Sequence, residues 1–107
     1  MNPKLWVTLQ LIYHVVFNLK ERILVASEST QVLDMIYRLL VVLPWFRHMP
    51  PDAILKFHGN STNKERADFV NGCNGGNMLV GLLSTRAGGV GLTLTGAHYM
   101  VPIEKDK

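Results

Sequence analysis

The sequence predicts an α/β domain with a short parallel sheet flanked by helices, and three observations carry that prediction. Hydrophobic periodicity switches repeatedly between helical and extended spacing, turn signals separate the segments, and the strand-like runs are continuously apolar rather than alternating. Continuous apolar runs suit strands covered on both faces, as in a parallel sheet. A chain of 107 residues is one domain at most, and a domain of that size buries only about two thirds of its unfolded surface, leaving a thin stability margin. The hydrophobic share of 48% against 18% charged residues indicates a packed core rather than disorder. A net charge of +3 permits nucleic-acid binding without demanding it. The single cysteine, Cys73, excludes an internal disulfide and fits a reducing compartment.

The first element is a helix. Leu5, Leu9, Ile12, Val16 and Leu19 recur at helical spacing, and Pro3 suits a first turn. A membrane span would need about 20 predominantly apolar residues, whereas Gln10, His14 and Asn18 interrupt this run. No convincing signal-peptide cleavage site follows it, so it reads as a core helix with no membrane role. "RILVAS", residues 22–27, is a branched-apolar strand. The next helix has Ser29 or Thr30 as its cap and Leu33, Ile36, Leu40 and Leu43 on its inner face. Pro44, Pro50 and Pro51 end it and make "PWFRHMPPD" a loop.

"AILKFH", residues 53–58, is the second strand, closed by Gly59. Ser61 or Thr62 caps the helix after it, with Glu65 near the capping-box position, and "NGCNGGN" breaks that helix. "MLVGLLS", residues 78–84, is the third strand. "AHYMVPI" is the fourth, which Pro102 confines to an edge or a strand end.

The segment "STRAGGVGLTLTG", residues 84–96, therefore lies where a strand leaves a parallel sheet, the place where open α/β sheets bind ligands. Bare backbone there offers N–H groups to a phosphate. Two standard nucleotide motifs do not fit. No stretch supplies Gly, four residues, then Gly-Lys-Ser/Thr, and a dinucleotide fingerprint begun at Gly89 meets Leu94 where its last glycine belongs.

The blocks "ILVASESTQVLDMI", "FHGNSTNKERADFVNGCN" and "LLSTRAGGVGLTLTGA", in that order, resemble the second RecA-like lobe of the Swi/Snf-type ATPases, a branch of superfamily-two helicases. The last block is the most specific, and its wording is similar to the lodestar-like transcription-termination group. The resemblance implies a RecA-like, P-loop NTPase-type C-terminal helicase lobe, incomplete, occupying residues 1–107. It implies that Ser27, Gly59, Ser84, Thr85 and Arg86 meet a DNA backbone phosphate. Gly88, Gly89 and Gly91 would shape the motif V loop beside the ATP cleft. It implies double-stranded DNA bound without sequence preference, a first RecA-like lobe in cis or in trans, and nuclear location. ATP and Mg2+ belong to the complete two-lobe enzyme, with no cofactor for this chain alone.

Departures from the family pattern are as informative. Glu28 stands where the family usually has Gln, Thr93 replaces the motif V Asn, and Cys73 replaces a Phe. The phosphate loop, the Asp-Glu metal pair and the arginine that reaches ATP in this family have no match in these 107 residues. Phosphoryl transfer needs all three held together, so the chain alone is expected to be inactive as an ATPase.

Other residues have plainer readings. Arg86 is as readily solvated as phosphate-bound, and Lys64 and Arg66 suit a solvated helix face. His58 reads as a strand-end histidine, Cys73 as a small buried hydrophobe, and Trp45 and Phe46 as loop packing rather than base stacking. Two functions from different classes follow: part of an ATP-dependent DNA translocase, or a non-catalytic regulatory module that binds DNA or a partner. A small Rossmann-like nucleotide-binding protein is the weakest alternative.

Overall fold

The structure, a computed structural model, describes residues 3–58, 62–85 and 99–103. Four parallel strands form the sheet: β1 (Ile23–Ser27), β2 (Ile54–Phe57), β3 (Val80–Ser84) and β4 (Tyr99–Ile103), in the spatial order β2-β3-β1-β4. Helices α1 (Pro3–Tyr13) and α2 (Thr30–Val42) cover one face, and α3 (Asn63–Cys73) covers the other. The chain steps from β1 to β2 in one direction and from β2 back to β3 in the other, with α2 and α3 on opposite faces. That is the outcome a single crossover hand imposes.

Strand parity sorts the core into two layers. Ile23, Val25, Val80, Leu82 and Ile103 point toward Leu9, Ile12, Leu33, Ile36 and Leu40. Leu24, Phe57 and Leu83 point the other way, onto Phe69, Cys73 and Met78. Both central strands, β1 and β3, are buried along their whole length, which is why their sequences carry no alternation. Cys73 is a filler in the second layer, fully buried beside Phe69. Gly81 is needed there for a close approach: a Cβ would stand 2.6 Å from Leu24 Cδ2 and 2.9 Å from Met78 Cε. Pro102 lies on β4, an edge strand, opposite Ala26, where its missing N–H costs least.

The first helix departs from the sequence expectation near its end. Regular α-helix stops at Tyr13 and a π-helical turn, His14–Asn18, follows, with the Leu19 N–H donating to His14 O at 3.0 Å. The wider turn rotates the helix face. Val15 and Val16 both enter the core, and Leu19, expected on the buried stripe, turns outward. Lys20 then takes a positive φ of 57° to lead the chain into β1. Leu43 likewise leaves the inner face, serving as the half-buried C-cap of α2.

The loop around Trp45 and Phe46 packs onto this end of α1, as expected. Tyr13 meets Trp45 edge-on at 5.0 Å between centroids, and Phe17 meets Phe46 at 5.4 Å.

Helix starts follow the sequence. Ser29 caps α2, its hydroxyl accepting from the Val32 N–H at 3.4 Å. Thr62 and Glu65 form a reciprocal capping box on α3: the Glu65 N–H donates to Thr62 Oγ1 at 3.1 Å, and the Thr62 N–H donates to Glu65 Oε1 at 2.9 Å. These bonds from Thr62 hold the Glu65 carboxyl below its ordinary value of 4.5, with His58 adding a smaller charge effect in the same direction. A carboxyl lowered in the folded state contributes stability above its unfolded value, lost as pH falls through the folded one. The start of α3 is therefore expected to loosen below about pH 4.5, and amide hydrogen exchange at Glu65 and Arg66 should rise there. Glu65→Gln, which keeps the acceptor and removes the titration, should flatten that rise; an unchanged profile would show that another group controls it.

Candidate DNA-backbone site

All four strands point the same way, so their carboxyl ends share one edge of the sheet. On that edge Ser27 and Ser84 are register partners on adjacent strands. The sequence separates them by more than half the chain, and only the β3-β1 pairing brings them together. Each is 2% exposed. Ser27 Oγ accepts from the Ser29 N–H at 3.1 Å, turning the chain out of β1 and into the cap of α2. Thr85 is the first residue past β3 and is exposed. The edge thus has a buried hydroxyl pair beneath an exposed hydroxyl.

Strands β1 and β2 both hand over to helices at this edge, so the amino ends of α2 and α3 lie there too. Helix amino ends carry partial positive charge and unpaired N–H groups, which favour anions. Glu28, exposed between Ser27 and Ser29, works against an anion at the same place. Lys64 is exposed on the first turn of α3 and Arg66 is half-buried. Gly59, Arg86, Gly88, Gly89 and Gly91, expected from the sequence to contribute, lie outside the described residues. His58 is half-buried at the end of β2.

Ser29 is the residue that sequence reading assigned only to a helix cap. It also holds the Ser27 hydroxyl, and the signal was the Ser-x-Ser spacing at a strand end. No group of three His, Cys, Asp or Glu side chains among the described residues could hold a metal ion. Among them, too, no helix is long and apolar enough to cross a membrane.

A parallel four-stranded sheet with helices on both faces and a polar carboxyl edge is the architecture of a nucleotide-driven motor lobe. The chain belongs to the helicase conserved C-terminal domain family, which matches residues 4–107, and its relatives are Swi/Snf-type ATPases. It is 32% identical over 106 residues to the DNA repair and recombination protein RDH54 of Saccharomyces cerevisiae, a match spanning 98% of this chain and 11% of that protein. It is 33% identical over 86 residues to the human chromatin-remodeling ATPase INO80, covering 79% of this chain and 5% of that one. Among solved structures, the C-terminal part of the Fun30 ATPase domain superposes with a TM-score of 0.74 at 23% identity, over 94% of this chain and 30% of that one. That likeness concerns the fold. The chain spans about a tenth of the length of RDH54.

Proposed function

We propose that these residues form part of the second lobe of an ATP-dependent DNA translocase, holding the DNA backbone at the carboxyl edge of the sheet and forming one wall of an ATP cleft. The observation that carries this reading is the register pairing of Ser27 with Ser84, which sets the exposed Thr85 at the mouth of the motif V loop. Thr85 donates its hydroxyl to a phosphate oxygen, with Arg86 and the N–H groups around Gly88, Gly89 and Gly91 beside it. Ser27 and Ser84, being buried, position that loop from below, and Gly59 lets the second strand turn away at the same edge. Hydroxyls and backbone N–H groups grip phosphate without touching base edges, so binding is independent of sequence.

The first RecA-like lobe, in cis or in trans, supplies the phosphate loop and metal carboxylates. ATP and Mg2+ therefore act only in the two-lobe enzyme. The residues described at this edge do not fit a nucleotide-metal site by themselves, since they hold no set of metal-ligating side chains, and no step of phosphoryl transfer is assigned to them. By themselves these 107 residues turn over no ATP. The relatives named for DNA repair and chromatin remodeling support a nuclear location.

Duplex binding by the chain should be weak and should fall with salt, because few phosphates are met. Thr85→Val removes one hydrogen bond to a charged acceptor and is expected to weaken binding about tenfold with no change in thermal stability. Arg86→Ala should lower the log–log salt slope by about 0.9. Unchanged affinity and slope in both variants, measured by fluorescence anisotropy on two unrelated duplexes, would refute the phosphate role.

A further inference from the structure

Helix α1 is apolar on both sides. Leu5, Leu9 and Ile12 are buried in the core, while Trp6, Val7, Leu11 and Tyr13 remain exposed, Trp6 by 54%. A helix whose outer face meets only water is normally polar there. Beside that outer face runs a groove of about 550 Å3 between α1 and the Pro44–Phe46 turn. Trp6, Tyr13 and Trp45 wall it, and Gln10, His14 and Asn18 give it a polar rim.

The walls are already set. Tyr13 is held edge-on against Trp45 at 5.0 Å and tilted against Phe17 at 5.0 Å, and the Asn18 amide is hydrogen-bonded to His14 Nδ1 at 3.1 Å. Rigid aromatic walls lose little entropy when a partner side chain enters.

Charge says what kind of partner fits. The two segments that build the groove contain no acidic residue: residues 3–20 carry Lys4, His14 and Lys20, and residues 35–51 carry Arg38, Arg47 and His48. A surface both aromatic and one-sidedly basic complements an apolar stripe bordered by carboxylates. We infer that the groove between α1 and the Pro44–Phe46 turn docks an acidic amphipathic helix of a partner protein. The groove lies at the amino end of the sheet, where α1 leads into β1 and α2 into β2. A docked helix therefore leaves the Ser27–Ser84 edge open, and the inference is independent of the DNA reading.

Both tryptophans of the chain, Trp6 and Trp45, line the groove, so their fluorescence reports its occupancy. The chain is titrated with three tryptophan-free peptides of about five helical turns: a leucine stripe flanked by Glu, the same stripe flanked by Lys, and the Glu peptide with its stripe scrambled. The Glu-flanked peptide should bind saturably with a blue shift. Trp6→Ala should weaken it about tenfold or more. Arg47→Glu should weaken it and strengthen the Lys-flanked peptide. Arg47 is exposed and Trp6 more than half exposed, so both variants should fold, which an unchanged melting curve checks.

Equal binding of the Lys-flanked or scrambled peptide would overturn the inference. So would a blue shift produced by phosphatidylglycerol vesicles, or by self-association of the chain, where the Glu-flanked peptide produces none.

Discussion

Phe69→Ala should be the most damaging single change in this chain, lowering the unfolding free energy by about 3–5 kcal/mol. Phe69 is fully buried at the centre of the layer between α3 and the sheet and lies 5.8 Å from Phe57. Its neighbours cannot collapse into the space. Gly72 and Gly81 already bring Met78 within 2.9 Å of where a Cβ would stand, so Met78 is pinned between helix and strand. A small domain's margin is about 5–15 kcal/mol, so the variant should be largely unfolded near physiological temperature. Chemical denaturation checks this; a loss under about 1 kcal/mol would mean that α3 packs less tightly than the structure indicates.

Arg22→Ala should cost about 2–4 kcal/mol, because its guanidinium ties three separate backbone carbonyls together. Nη1 donates to Cys73 O at 2.9 Å, Nη2 to Gly76 O at 2.6 Å and Nε to Met78 O at 2.9 Å. A cation at the carboxyl end of α3 also complements the helix dipole. The segment it ties is the "NGCNGGN" break, where Gly75 takes a positive φ of 121°. Without Arg22, the turn from α3 into β3 loses its anchor. Arg22→Lys should recover only part of the loss, since an ammonium cannot match the planar fork. Full recovery by lysine in the same denaturation measurement would show that charge alone acts here.

What the sequence disclosed and what it hid have physical reasons. Caps and breaks were legible because they act locally: Thr62 and Glu65 stand three apart, and Pro102 declares an edge strand by lacking a donor. The parallel sheet was legible because β1 and β3 are apolar at nearly every position. The order of the strands was not, since short continuous runs carry no label for their neighbours. The meeting of Ser27 with Ser84 was hidden for the same reason. Arg22 was invisible as an anchor because its acceptors lie 51 to 56 residues away. The π-helical turn at His14–Asn18 has no cue in an apolar run, and it is what moved Leu19 off the buried stripe. At the site, the hydroxyls were picked out by type and position, and their burial could come only from the packed edge.

The backbone grip at the carboxyl edge is tested most directly by amide chemical-shift mapping of the chain with two duplexes of unrelated sequence. Perturbations should gather at Ser27, Glu28, Ser29, Ser84 and Thr85 and run on into the loop through Gly91, in the same pattern for both duplexes. Shifts gathered instead around Arg22 and Gly76 or along α1, or a pattern that changes with the duplex sequence, would contradict it.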